Sequence, residues 1–186
     1  GWHSLPPESL AVLADAYGAT DVVAPLAWLE LPEKTVAPVT RIRAGQRGEA
    51  VQGVMGLSAD EARLGRTADL LADGRWFAPD EDDAVILPRP MAERLGVAPG
   101  DRVSLFGREF RVAGLFRKNA LEERPDLDGE PLTPVVFPSE ASKEASEAEK
   151  EAAESGEDVK TLQSRYQHID DDLVVILPYR TLMGLG

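Results

Sequence analysis

The chain's only imidazoles are His3 and His168, and it has no cysteine. Acyl-transfer chemistry needs a nucleophile, a base and an oxyanion stabiliser within reach of one another. No Gly-x-Ser-x-Gly elbow is present to expose a serine. Each histidine therefore reads as a satisfied or exposed ring rather than a catalytic base. Carboxylates are more abundant, and a pair of them can serve as acid and base when their environments hold their pKa values apart. The two densest clusters are Asp80-Glu81-Asp82-Asp83 and Asp170-Asp171-Asp172. Both lie in polar runs, where solvated carboxylates keep ordinary pKa values, so both are expected to be loops.

Asp126-Leu127-Asp128-Gly129-Glu130 has some likeness to a calcium loop. An EF-hand places three alternating ligands before its glycine and a glutamate at position 12. Here the glycine arrives at the fourth position, and the stretch reads as an ordinary Asp-Gly turn. The pairs Gly45/Gly48 and Gly53/Gly56 lack a following Gly-Lys-Ser/Thr and a strand-to-helix setting, so neither is a phosphate loop. Trp76-Phe77 is either a ligand platform or core. An aromatic pair beside a strand favours core, with one ring as anchor and the other at a rim. No catalytic, cofactor-binding or metal-binding residue emerges, and the expectation is a module that binds or couples.

The elements that would position these residues follow from pattern. The chain has 186 residues, 43% of them hydrophobic, enough for one domain or two small subdomains with a buried core. Its net charge of −13 repels phosphate backbones and anionic headgroups, so nucleic acid is not an expected partner. No run approaches the ~18 apolar residues of a membrane span. The start, Gly1-Trp2-His3-Ser4, is not a signal peptide, and the end at Met183-Gly184-Leu185-Gly186 reads as a cut. The chain is then either a cytosolic protein or a soluble piece excised from a larger one.

Leu10, Leu13, Ala14 and Tyr17 share a helical face after Pro6-Pro7, and Gly18 closes it. Val22–Leu31 reads as a strand that Pro25 pushes toward an edge or an early bend. Val36–Ala44 and Glu49–Val54 flank a hairpin loop, Gly45-Gln46-Arg47-Gly48. Ser58 and Glu61 match a capping box for a helix through Leu64. Asp73-Gly74 is a turn signal, and Ala84–Leu87 a strand. Pro90 and Gly96 bound a short helix. Ala98-Pro99-Gly100-Asp101 fits a type II turn, and Gly107-Arg108 a two-residue II′ hairpin between alternating strands. Val135–Phe137 is a short strand.

Ser139 caps a Glu- and Ala-rich helix to about Ser155, whose only apolar stripe is alanine. Burying such a stripe gains little, roughly 0.8 kcal/mol per methyl-sized group at best, so this helix is expected to face solvent. Val159, Leu162 and Tyr166 mark a second amphipathic helix. Leu173–Leu177 is an apolar strand ended by Pro178, and Tyr179–Met183 starts another helical turn.

The order of these pieces resembles a known family. Val51-Gln52-Gly53-Val54, Asp73-Gly74-Arg75-Trp76-Phe77, Ala84-Val85-Ile86-Leu87, Ala92-Glu93-Arg94-Leu95-Gly96-Val97, Pro99-Gly100-Asp101-Arg102-Val103, Phe110-Arg111-Val112-Ala113-Gly114 and Val174-Val175-Ile176-Leu177-Pro178 are similar to the MacB-like periplasmic core domain. That domain is the extracytoplasmic part of FtsX-like ABC-transporter permeases of the macrolide-exporter and lipoprotein-release type. The resemblance covers residues 5–117 and 170–186. It departs from the family in lacking a returning α/β segment after Pro178 and in a longer, more acidic Lys118–Ile169.

The resemblance implies an α+β fold. A partial α/β subdomain of helix, strand and hairpin (1–57) is followed by an inserted β-rich subdomain with short helices (58–186), which carries an acidic helical insertion at about 118–169. It also implies a non-catalytic domain between the first and second membrane helices, coupling ATP-driven motion of those helices to export, release or a partner protein. No cofactor is expected in it. ATP would bind a separate subunit or domain. The partners would be the rest of the permease, its ATPase, and an extracytoplasmic protein or the exported substrate, in a membrane-embedded, dimeric parent. Arg75, Trp76, Glu144, Glu147 and Glu151 are the candidate partner surface. Arg75 either braces the acidic loop beside it or faces the partner, with bracing favoured. The alternative is a free-standing, cytosolic ligand-binding or accessory module containing a β-barrel. A weaker third reading is a carboxylate hydrolase.

Overall fold

Three strands carry almost no polar residue, and the molecule is arranged around them. They are β4 (Gly53–Leu57), β6 (Ala84–Pro88) and β11 (Val174–Pro178), buried at every position. A strand covered on both faces loses the alternation of a half-exposed one and reads as an unbroken apolar run. The computed structural model describes residues 26–30, 40–125, 129–136 and 167–185, together with Val12, Asp15 and Ala16, which are helical. The expected face of Leu10, Leu13, Ala14 and Tyr17 lies outside the described residues, as do the helices expected over 139–155 and around 159–166.

The remaining strands are β1 (Leu26–Glu30), β2 (Arg41–Ala44), β3 (Arg47–Ala50), β5 (Leu71–Gly74), β7 (Arg102–Leu105), β8 (Arg108–Phe116), β9 (Val135–Val136) and β10 (Gln167–His168). One sheet runs β1-β4-β11-β6-β8-β7-β2-β3, with β5 added on β8, while β9 and β10 form a separate pair. The large sheet is mixed. β4–β11 and β6–β8 are parallel, and β11–β6 and the other pairs are antiparallel. Few helices accompany it, so the fold is α+β. β1 takes an edge position, one of the two outcomes expected of Pro25. Strands from before and after residue 57 share one sheet, and among the described residues its path does not close into a barrel.

Alternate side chains of the central strands enter two cores. Val54, Val85, Leu87, Val175 and Leu177 pack on one face with Met91, Leu95, Leu105 and Phe110. Met55, Leu57, Ile86 and Ile176 pack on the other with Trp76, Phe77 and Phe116. Residue β8 Ala113 is an extra residue against β6, because Val85 faces Val112 while Ile86 faces Gly114. This bulge puts Val112 and Leu115 on one face, three positions apart.

Two strand-proline-helix units lie head to tail in the centre. β6 leads through Pro88 into helix α2 (Arg89–Leu95), and β11 leads through Pro178 into α3 (Tyr179–Met183). The two strands pair antiparallel at Ile86 and Ile176. The Thr181 hydroxyl of α3 donates to the Asp82 carbonyl ahead of β6 at 2.8 Å, tying one unit to the other. Gly96 ends α2 with φ of 72°, the left-handed stop expected of it. Gly100, at φ 101°, forms the type II turn, closed by Asp101 N–H donating to the Ala98 carbonyl at 3.1 Å.

Four local expectations give way. The first hairpin turns on two residues, Gly45-Gln46, and pairing resumes at Arg47. The expected strand Glu49–Val54 divides into β3, at one end of the sheet path, and β4, next to the strand at the other end. In the second hairpin Leu105 pairs with Arg108, so the turn is Phe106-Gly107 rather than Gly107-Arg108. Both turn residues have positive φ, 52° and 73°, the I′ pattern whose twist matches its strands. Ser58 does not cap the helix α1 (Glu61–Leu64). Asp60 occupies the N-cap without a side-chain bond, and the Ser58 carbonyl accepts from Glu61 N–H instead. Finally, Asp73-Gly74 is the end of strand β5, where Gly74 (φ 77°) pairs with Gly114 of β8. A Cβ on Gly74 would sit 2.4 Å from the Ala113 carbonyl oxygen, so two glycines let these backbones meet.

Candidate functional site

The segment leaving β5 holds the first candidate residues. Arg75 sits one residue beyond the glycine contact, and its guanidinium makes a fork-to-fork pair with Glu81, both bonds 2.7 Å. The same carboxylate accepts from Ala78 N–H at 3.0 Å, and Arg75 also donates to the Trp76 carbonyl at 3.0 Å. These bonds close residues 75–81 into a tied loop. The Arg75 partner holds the Glu81 carboxyl below its ordinary range, against an opposing push from burial, and Glu81 in turn raises Arg75. Of the two roles open to Arg75, bracing is the one observed. The acidic run around it is only partly solvated. Asp80, Asp82 and Asp83 are exposed, but the Glu81 side chain retains 14% exposure.

Trp76 and Phe77 do not divide into anchor and rim. Both are buried, at 8% and 5% exposure, with ring centroids 5.3 Å apart and tilted by 51°. The Trp76 indole N–H donates to the Ser58 carbonyl at 3.1 Å, which satisfies its polar atom inside the core. Trp76 therefore holds the turn before α1. Glu144, Glu147 and Glu151 lie outside the described residues.

The second acidic cluster departs furthest from expectation. Asp170, Asp171 and Asp172 form the entry to β11, with Asp171–Leu173 a 3-10 turn capped by the Asp170 carboxylate, which accepts from Asp172 N–H at 2.9 Å. Asp171 is not solvated. Its exposure is 0%, beneath the turn that follows β8. Its Oδ2 accepts from Leu121 N–H at 3.4 Å, while its Oδ1 has no hydrogen-bond partner among the described residues. Burial pushes its carboxyl up to about 6, opposed by the backbone N–H groups of Asn119 and Leu121 and reinforced by the charges of Glu122 and Asp172. Glu122 lies across from it and accepts from Asp171 N–H at 3.3 Å. One carboxylate oxygen each from Glu122, Asp170 and Asp171 lies within 4.8 Å of the others. Sequence reasoning missed this grouping because Glu122 is about fifty residues from the triplet. The one signal was position: the triplet abuts an unbroken apolar strand.

His168 is a half-buried ring. Its Nδ1 is 2.9 Å from the Thr133 hydroxyl and 3.2 Å from the Thr133 carbonyl, and its Nε2 is 3.5 Å from Glu130. Thr133 is buried, so the ring serves to join β10 to the segment before β9.

Comparison with known proteins fits this architecture. The family model for the MacB-like periplasmic core domain matches residues 7–166, a span that includes most of the acidic segment set outside the resemblance above. No curated protein matches the chain. Among solved structures, the extracellular domain of the noncanonic ABC-type transporter YknZ from Gram-positive bacteria aligns at 14% identity and a TM-score of 0.50, over 97% of this chain and 65% of that one. The periplasmic region of MacB from Actinobacillus actinomycetemcomitans aligns at 14% identity and a TM-score of 0.45, over 87% of this chain and 49% of that one. The chain thus spans about half to two thirds of the structures it matches. Among the described residues no helix is long and apolar enough to cross a membrane. The chain belongs to the family of MacB-like periplasmic core domains, the extracytoplasmic part of membrane permeases.

Proposed function

We propose that this domain is a non-catalytic transmitter in an ABC-transporter permease: it couples ATP-driven motion of the membrane helices to export, release or engagement of a partner. The observation that carries the reading is the sheet, whose central strands are buried on both faces and bonded side by side. Such a close-packed body passes displacement on rather than absorbing it. ATP binds elsewhere, on a separate subunit or domain, and the parent protein is a membrane-embedded dimer.

The partner surface belongs to the acidic segment that leaves after β9 and returns at β10, including Glu144, Glu147 and Glu151. Its composition supports this: alanine offers little to a core, and a dense negative charge steers a basic partner or substrate. Arg75, whose half-exposed side chain braces the loop before β6, and Trp76 beside it are the other candidates for that surface. The test is to replace residues 139–165 in the intact parent permease with a short Gly/Ser linker, sparing β10. We expect ATP hydrolysis to persist while export or partner capture falls. Undiminished export and partner capture would sink the assignment of the surface.

A further inference from the structure

Four carboxylates lie on the turns that leave β8 and enter β11, three of them within 4.8 Å of one another, and nothing described neutralises them. Glu122 comes from the turn after β8, and Asp170, Asp171 and Asp172 come from the turn before β11. Among the described residues, no lysine, arginine or histidine makes an ion pair with any of the four. Exposed acidic clusters are common and need no explanation. Asp171 does need one. Its side chain is fully buried, and its Oδ1 receives no hydrogen bond from the described residues. Leu121 N–H serves only Oδ2, and a buried carboxylate with one oxygen lacking a donor and with no counter-charge is costly, so such groups are normally paired or coordinate a metal.

We propose that Glu122, Asp170 and Asp171 form a calcium site that staples the exit of β8 to the entry of β11. Two oxygens bound to one ion at about 2.4 Å are separated by no more than about 4.8 Å. The three carboxylates already meet that limit, lying within 4.8 Å of one another. Calcium accepts six to eight oxygens in irregular arrangements, and water and main-chain carbonyls complete its shell. Magnesium binds at about 2.0–2.1 Å in near-ideal octahedra, which would require these side chains to close in. The backbone also favours the staple. Asp170 and Glu122 already accept N–H groups of the same turn, so two ligands are oriented before an ion arrives. A site outside the cytoplasm also meets the cation without having to bind it tightly.

The test uses the 186-residue chain after chelator treatment, with calorimetric titration of calcium chloride and thermal unfolding in calcium, magnesium and matched sodium chloride. We expect one saturable site, half-filled at about 0.1–1 mM calcium as in other extracellular modules. At a tenfold excess over that concentration the midpoint should rise by about 3–6 °C. Glu122→Gln and Asp170→Asn change exposed carboxylates, and Asp170→Asn keeps the cap, so both should fold; each should weaken calcium binding about tenfold or more. Asp171→Asn removes the buried charge, so it should be at least as stable without calcium and no longer respond to it. The proposal is overturned if calcium acts no differently from matched sodium chloride. It is equally overturned if the Glu122 and Asp170 variants bind calcium like the parent chain, or if magnesium serves as well at the same concentration.

Discussion

Single residues account for the tied loop between β5 and β6. Arg75 is half exposed, so its pair with Glu81 belongs with surface pairs, at the upper end of their range because it is bidentate and shares a backbone donor. Glu81→Gln is expected to lower unfolding free energy by about 1 kcal/mol at pH 7. The sign with pH follows from the depressed Glu81 carboxyl. Its contribution is complete above the unfolded value near 4.5 and disappears as pH falls through the lower folded value. Urea titrations of the two proteins should therefore differ at pH 7 and converge on acidification. Gly74 makes a harder demand. Left-handed φ and contact with the Ala113 carbonyl both exclude a side chain, so Gly74→Ala should destabilise by about 2 kcal/mol or more in the same assay. That role was not legible in sequence. Asp-Gly announces a positive φ equally well in a turn and in a strand end, and only the partner Gly114 decides which.

At the scale of elements, the apolar runs and the proline and glycine punctuation were legible. Ala84–Leu87, Leu173–Leu177, Pro90, Gly96 and Pro99-Gly100 all lie in the structures their chemistry requires. What the sequence hid was competition between equally good local choices. Gly107 can open a II′ turn or close a I′ turn. The I′ turn is the one observed, with Val103, Leu105, Phe110 and Val112 facing one core. Its cost falls on Phe106, a bulky residue at φ 52° that remains 36% exposed. Phe106→Asn supplies the residue that I′ turns favour and should raise unfolding free energy by about 0.5–1 kcal/mol, measured by urea titration. Ser58 illustrates the same competition. Its carbonyl is engaged by Trp76 and Glu61, and its hydroxyl is left buried without a partner, so the capping box is lost to the core.

For the whole molecule, order along the chain carried more than any single motif. Family membership could be read from the sequence of pieces, because strand, turn and capped helix recur at spacings the sheet imposes. The sheet path itself could not be read. It pairs β4 with β11 and places β2 and β3 beyond β7, contacts between segments far apart in sequence. The carboxylate group of Glu122 and Asp171 is hidden by the same long-range pairing. The proposed function requires this body to move as a unit when the permease uses ATP. The chain has no cysteine, so labels at Arg63→Cys and Glu109→Cys, both on exposed positions, report on it cleanly once any other cysteines of the parent are removed. The direct measurement is pulsed electron spin resonance on the intact permease, nucleotide-free and ATP-trapped. The expected result is an unchanged distance between the two labels within one domain and a changed distance between Glu109→Cys labels on the two copies. A domain that deforms internally, or copies whose separation ignores nucleotide, would contradict it.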